Sequence, residues 1–230
     1  MRCVSASSRF AGDTNEQDVR IALRAFAKNE HSSEADTLFL EEFALYGGEI
    51  RADLAALNGV SHGYEIKSGR DTLQRLPRQV IAYGDVFEYA TLVAPQCHLT
   101  DARCLIPTWW GIVKVEGDQS GILLRRLRQA RPNPAPKSAA IAALLWRAEA
   151  LSLLSLLGMD AGMKSKPMSE LIDKLARELP PDHLGRLVRQ ALRARGDWQS
   201  AARDKRCDEK YQHRANLWGS RRRLSWNKPQ

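Results

Sequence analysis

Cysteine is scarce in this chain, and the four that occur, Cys3, Cys97, Cys104 and Cys207, are scattered. None of them is paired at the roughly two- to four-residue spacing of a zinc knuckle, and nothing groups them into a secreted disulfide framework. Reduced thiols in a cytoplasm are the expectation. Long apolar runs are missing as well. Arg2 is followed by "CVSASSRFAGD", without the apolar stretch of a signal peptide, and no segment reaches the roughly 18 uncharged apolar residues of a membrane helix. The longest apolar stretch, "AAIAALLWRAEALSLLSLLG", carries Arg147 and Glu149 and fits a helix buried in protein. There is no GxxxxGKS/T phosphate loop, GxGxxG fingerprint or GxSxG elbow, which argues against a nucleotide-driven motor and a serine-nucleophile hydrolase. His62 and His98 are isolated and support no zinc site; a lone histidine in a turn, as His62 reads, is expected at the surface.

What is present is a globular composition, 43% hydrophobic and 27% charged, so a folded core is the default for 230 residues. The net charge of +8 hides an asymmetry. Residues 1–123 carry 12 Lys/Arg against 17 Asp/Glu, net −5, and residues 124–230 carry 23 against 10, net +13. A basic half attracts polyanions such as nucleic acid by releasing their counterions, although solvated helix faces give the same balance.

Periodicity divides the chain. "NEQDVRIALRAFAKNE" places Val19, Leu23 and Phe26 at helical spacing. "TLFLEEFALYGG", "EIRADLAAL" and "HGYEIKS" read as three strands, with Asn58-Gly59 between the last two. "SGRDTLQRLPRQVIAYGDVFEYA" reads as a helix with Pro77 near its first turn, followed by the strand "ATLVAP", a short helix in "HLTDARCLIP" and a strand in "TWWGIVKVEG". The order αβββαβ, then αβ, predicts an α/β (α+β) fold, a mixed sheet flanked by helices, over residues 15–123. Residues 124–136, ending in the proline-rich "RPNPAP", read as a linker, and 137–230 as a basic helical region with helix starts at Ser169 and at Pro181 to Asp182. Its last segment mixes Trp218 and Trp226 with Arg221, Arg222 and Arg223, a pattern suited to stacking on bases and pairing with phosphates, or to anchoring the tail.

The chemistry gathers in "ADLAALNGVSHGYEIKSGRD", residues 52–71. Asp53 stands on one expected strand, and Glu65 and Lys67 share a face of the next. A two-residue Asn58-Gly59 turn would send the two carboxylates to opposite faces. A loop of odd length, or a bulge, would align them. Aligned, two carboxylates with a lysine beside them form a site for Mg²⁺ or Mn²⁺, hard ions that take oxygen ligands and keep positions for water and phosphate. Gln79 and Tyr83, four apart, share a face of the following helix, and Arg70, Arg75 and Arg78 on the same segment could contact phosphates.

Asp53, eleven intervening residues and then Glu65-Ile66-Lys67, in an αβββαβ order, resembles the PD-(D/E)XK nuclease superfamily. With "GYEIKS", "DTLQRLPRQ" and "WWG", the stretch from Gln17 to Val115 is similar to a group of small uncharacterised bacterial and phage proteins in it. The resemblance implies a restriction-endonuclease-like core, Mg²⁺ or Mn²⁺ as cofactor, and hydrolysis of phosphodiester bonds, DNA being favoured. It implies Asp53 and Glu65 as metal ligands, Lys67 as the catalytic lysine and Gln79 with Tyr83 as a positioning pair. A third acidic ligand would be Glu16 on the first helix, or Glu41 or Glu42 on the first strand, with Glu42 favoured. Ala52 stands where the motif has proline. The other function class is a nuclease-fold module that binds nucleic acid or a partner protein without catalysis, and the helical half offers a surface for a partner or a second copy.

Overall fold

The helical spacing of Val19, Leu23 and Phe26 forms α1 (Glu16–Glu30) in the computed structural model, which describes residues 16–34, 36–118 and 121–195. Three antiparallel strands follow: β1 (Leu38–Leu45), β2 (Ile50–Leu57) and β3 (Ser61–Ile66). The chain then makes α2 (Leu76–Val86), with Pro77 in its first turn, β4 (Tyr89–Pro95) parallel to β3, and α3 (Gln96–Leu105). It continues into β5 (Gly111–Asp118), parallel to β4, and β6 (Gly121–Arg128), antiparallel to β5. The six strands lie in chain order across one mixed sheet. Four helices complete the described chain: α4 (Ser138–Ala142), α5 (Arg147–Leu156), α6 (Met168–Glu178) and α7 (Pro181–Ala194). None of the helices among the described residues is long and apolar enough to cross a membrane.

Both faces of the sheet are covered. Val19, Leu23 and Ala27 of α1 pack on Leu54, Ala56, Tyr64, Ile66, Val93 and Val113. On the other face Leu76, Tyr83 and Val86 of α2 share one continuous apolar cluster with Ala55, Leu57, Leu92 and the inward residues of α3 to α7. Every residue of β3 is therefore buried, and the alternation in "HGYEIKS" separates two interior faces instead of core from solvent. His62 and Tyr64 lie with α1, while Gly63 and Glu65 lie with α2.

Gly63 is what allows that second packing. A Cβ at this position would sit 2.6 Å from ring carbons of Phe87 and 2.9 Å from Tyr83. We expect Gly63→Ala to lower stability in urea unfolding by about 1–3 kcal/mol, the usual cost of overpacking.

Three segments depart from the sequence reading. Residues 124–128, assigned to the linker, are the second half of β6: Ile122 and Leu124 pack on the α1 cluster, and Arg125 and Arg126 find Glu116 and Glu30. Charged side chains on an edge strand also discourage pairing with other chains. The proline-rich remainder is docked: Asn133 N donates to Glu88 O (2.8 Å), and Asn133 Nδ2 donates to Gly84 O (2.7 Å) and Phe87 O (2.8 Å). The apolar run around Trp146 is broken into α4 and α5, the second opening where Glu149 accepts the Trp146 N–H at 2.6 Å.

Candidate functional site

Leu57 pairs with Ser61 and Leu54 with Tyr64, so the loop between β2 and β3 consists of Asn58, Gly59 and Val60. Its odd length is fixed by side chains. Val60 N donates to Asn58 Oδ1 (3.0 Å), Asn58 Nδ2 reaches His31 and Thr37, and Arg189 of α7 donates to Gly59 O (2.7 Å). One step beyond the last paired residues, the same register sets Asp53 opposite Glu65. The strands part there, and the Asp53 carboxylate takes the ladder's place: Ile66 N donates to Asp53 Oδ2 at 2.7 Å.

Glu65 is 1% exposed and Lys67 6% exposed, an ion pair inside the protein with Nζ 2.5 Å from Oε1. Helix α2 presents Gln79 and Tyr83 to it from one face. Gln79 Nε2 donates to Glu65 Oε1 and Gln79 Oε1 accepts from Lys67 Nζ at 2.9 Å, while the Tyr83 hydroxyl lies 2.8 Å from Glu65 Oε2. Asp53, Glu65, Lys67, Gln79 and Tyr83 thus gather where β2 and β3 part. Lys67 N donates to Val93 O (2.8 Å), and Ser68 beyond it is held by Asp71, which accepts its N–H at 2.6 Å, and by His98, whose Nε2 lies 2.8 Å from Ser68 O. The His98 clamp is invisible in the sequence because it comes from a separate element, α3.

The electrostatics are strained in one direction. Burial, then the neighbouring Glu65, push the Asp53 carboxyl up to about 7, against the Ile66 N–H, Arg20 and Lys67. Burial also raises Glu65, opposed by Lys67, Tyr83 and Gln79. Desolvation and Glu65 together hold the Tyr83 phenol in its protonated form, as a donor.

The remaining acidic candidates gather on a residue that the sequence reading missed. Strand alternation should turn only one of Glu41 and Glu42 toward the site, but Glu42 has φ 51, in the left-handed region, and alternation fails there. Both glutamates reach α1: Glu41 pairs with Arg24 at 2.7 Å, and Glu42 with Arg20 at 2.9 Å. Arg20 also holds Glu16 at 2.9 Å and Asp53 Oδ1 at 3.3 Å. The i,i+4 spacing of Glu16 and Arg20 was the available signal. Arg70, Arg75 and Arg78 are exposed on the segment that follows Lys67. Arg221, Arg222 and Arg223, with Trp218 and Trp226, lie outside the described residues.

His62 is 4% exposed in β3, not in a surface turn. Together with Glu30 and His31 it brings possible metal-ligand atoms within 4.8 Å of one another. The hydrogen bonds there run in sequence from Asn58 to Glu30. Asn58 Oδ1 is engaged by Val60 N–H, so Asn58 Nδ2 donates to His31 Nδ1 (3.1 Å). The His31 proton is then on Nε2, directed at the Tyr64 hydroxyl (3.0 Å), which donates to Glu30 (2.9 Å). With that tautomer His31 turns an N–H toward the cluster, and His62 is engaged by Thr91 and the Tyr64 hydroxyl, so the contacts as they stand form a polar network.

The fold and this end of it define a class: a mixed α/β protein with a six-stranded sheet between helices and a buried carboxylate–lysine pair at the end of a central strand, β3. The chain belongs to the Bacteriophage P4 protein cII family, whose model matches residues 10–211. Protein cII of Enterobacteria phage P4 is 28% identical over 116 residues, 50% of this chain and 44% of that protein, so the chain spans less than half the length of that relative. Among solved structures, a protein of unknown function from Silicibacter pomeroyi, SPO1766, aligns over 68% of this chain and 95% of its own, with 16% identity and a TM-score of 0.37.

Proposed function

We propose that this chain is a divalent-metal-dependent nuclease of the PD-(D/E)XK type that hydrolyses phosphodiester bonds, most readily in DNA and in the cytoplasm. The observation that carries the reading is the convergence of Asp53 with the buried Glu65–Lys67 pair, which is held by Gln79 and Tyr83. The donor set fits Mg²⁺ or Mn²⁺: the ligands are carboxylate oxygens, and among the described residues Glu16, Glu42, Asp53 and Glu65 have only Arg20 and Lys67 within ion-pairing reach. Four carboxylates against these two cations leave an excess of negative charge that one divalent ion would balance, and the Asp53 carboxyl, raised by burial first and by Glu65 second, is the group that such an ion would relieve. Asp53 and Glu65 would hold the ion, with Glu42 as a further candidate, and the ion would polarise the phosphate and acidify a bound water.

The chain's own groups have defined parts. The Ile66 N–H fixes the Asp53 carboxylate, leaving Oδ1 to turn toward the ion. Gln79 and Tyr83 fix the plane of Glu65. Glu65 and Gln79 take two of the three ammonium donors of Lys67 among the described residues, and the third would orient the attacking water or meet charge developing on the phosphate. Exposed Arg70, Arg75 and Arg78, with the basic helical half, would grip the backbone that the acidic half repels.

The test is cleavage of single-stranded, double-stranded and branched DNA and of RNA by the full chain, with Mg²⁺, Mn²⁺ or a chelator. Cutting should require metal, and Asp53→Ala or Lys67→Ala should reduce it by on the order of 10²–10³-fold or more. Metal-independent cutting, or equal rates in both variants, would refute the reading. The second reading, a binding module for nucleic acid or a partner protein, draws on the near-complete burial of Glu65 and Lys67 and on their direct pairing with each other. It predicts retained binding of nucleic acid or partner with no Asp53-dependent affinity for Mn²⁺ in calorimetry.

A further inference from the structure

One guanidinium collects three carboxylates from three separate elements. Arg20, one turn into α1 and with its side chain 14% exposed, places Nη2 2.9 Å from Glu16 Oε1 and 3.3 Å from Asp53 Oδ1. Its Nη1 lies 2.9 Å from Glu42 Oε1 and donates to Asp53 O at 3.1 Å. Glu42 reaches this position through a left-handed backbone that a side-chain-bearing residue adopts at a cost of order 1 kcal/mol. Asp53 Oδ2 is committed to Ile66 N–H, so Oδ1, facing Arg20, is the oxygen left for any other cation. A planar fork of five donors suits this task better than an ammonium would.

We propose that Arg20 is the internal counter-ion of the site: it holds Glu16, Glu42 and Asp53 together in the metal-free protein and gives up Asp53 Oδ1 when a divalent ion binds. The inference rests on the metal-binding reading of Asp53 and Glu65. Arg20 is on this view a positioning residue whose charge opposes the metal while its hydrogen bonds assemble the metal's ligands. Two consequences have opposite signs. Without Arg20 the acidic groups repel one another, so the metal-free protein loses stability. The same loss removes a positive charge and a competing donor, so the metal binds more tightly. A merely structural arginine would weaken both.

The experiment measures Mn²⁺ affinity by calorimetry and melting temperature with and without Mn²⁺ on the full chain. The variants are Arg20→Gln, Arg20→Lys, Arg24→Gln and Asp53→Ala. Arg20→Gln should melt lower without metal, bind Mn²⁺ about ten- to a hundredfold more tightly, and regain its melting temperature when Mn²⁺ is added. Arg20→Lys, which keeps the charge but cannot bridge three carboxylates, should fold and fall between wild type and Arg20→Gln, so the comparison survives if Arg20→Gln does not fold. Arg24→Gln, which loses only the half-exposed pair with Glu41, should bind Mn²⁺ like wild type. Affinity unchanged or weakened in both Arg20 variants, with wild-type binding abolished by Asp53→Ala, overturns the counter-ion role alone. Wild-type Mn²⁺ binding that is absent, or indifferent to Asp53→Ala, overturns the metal-binding reading beneath it.

Discussion

Replacing Asp53 with asparagine should make the metal-free protein more stable at pH 8 while abolishing its response to Mn²⁺. The Asp53 carboxyl titrates near 7 in the fold, against 3.8 when free. Between these values the folded chain holds a proton that the unfolded chain has lost, so stability falls as pH rises through this window and stays lowered above about 7. Asparagine is neutral throughout and keeps an oxygen for the Ile66 N–H, at the cost of the acceptor that Arg20 uses, which offsets part of the gain. Three pKa units set a ceiling of about 4 kcal/mol, and screening at a side chain 18% exposed brings the expected gain to about 1–2 kcal/mol, a rise of a few degrees in melting temperature. The difference should vanish below about pH 4. Wild-type protein should gain stability from Mn²⁺ in proportion to the logarithm of its concentration, and Asp53→Asn should not. Because the ion competes with the Asp53 proton, apparent affinity should fall by up to tenfold per unit as pH drops below about 7. A destabilised Asp53→Asn at pH 8, or one that still responds to Mn²⁺, would contradict this account.

The same carboxylate shows what the sequence could and could not convey. Glu65 with Lys67 and Gln79 with Tyr83 were legible as two pairs from two local periods, the alternation of a strand and the i,i+4 face of a helix, and it was the family resemblance that implied the two pairs share a site. The alignment of Asp53 with Glu65 was conditional on the loop. Asn58-Gly59 signals a turn, but its three-residue form depends on Asn58 bonding Val60, His31 and Thr37 and on Arg189 gripping Gly59, contacts spread over much of the chain. Glu42 and Arg20 were beyond reach for a related reason. The alternation that should have sorted Glu41 from Glu42 fails at a left-handed residue, and only the folded packing of α1 against the sheet brings Arg20 to three acids. β6 was obscured by its own arginines, which suit a sheet edge but read as a charged connection. In the loop and at Arg20 tertiary contact decided what local pattern left open, whereas at Glu42 and over residues 124–128 the local reading was itself overturned.

The buried Glu65–Lys67 pair gives the other large effect, because removing one partner differs from removing both. Lys67→Met leaves Glu65, 1% exposed, with Gln79 and Tyr83 but no counter-charge, and should cost about 3–5 kcal/mol in urea unfolding at pH 7. Part of that cost should return as pH falls, since a Glu65 raised still further by the loss of Lys67 can take up a proton. The double variant Glu65→Gln, Lys67→Met has no buried charge, keeps an acceptor for the Tyr83 hydroxyl, and should recover stability to within about 1 kcal/mol of wild type. Under the proposed function it should cut no DNA. Loss of activity in Lys67→Met alone would be ambiguous, because the variant is also expected to be unstable. Loss in a double variant as stable as wild type would assign the pair to chemistry, since the fold would have been shown to manage without it. A double variant as unstable as Lys67→Met would mean that the pair supports the fold through contacts other than charge. One that cuts DNA at the wild-type rate would remove Glu65 and Lys67 from the reaction.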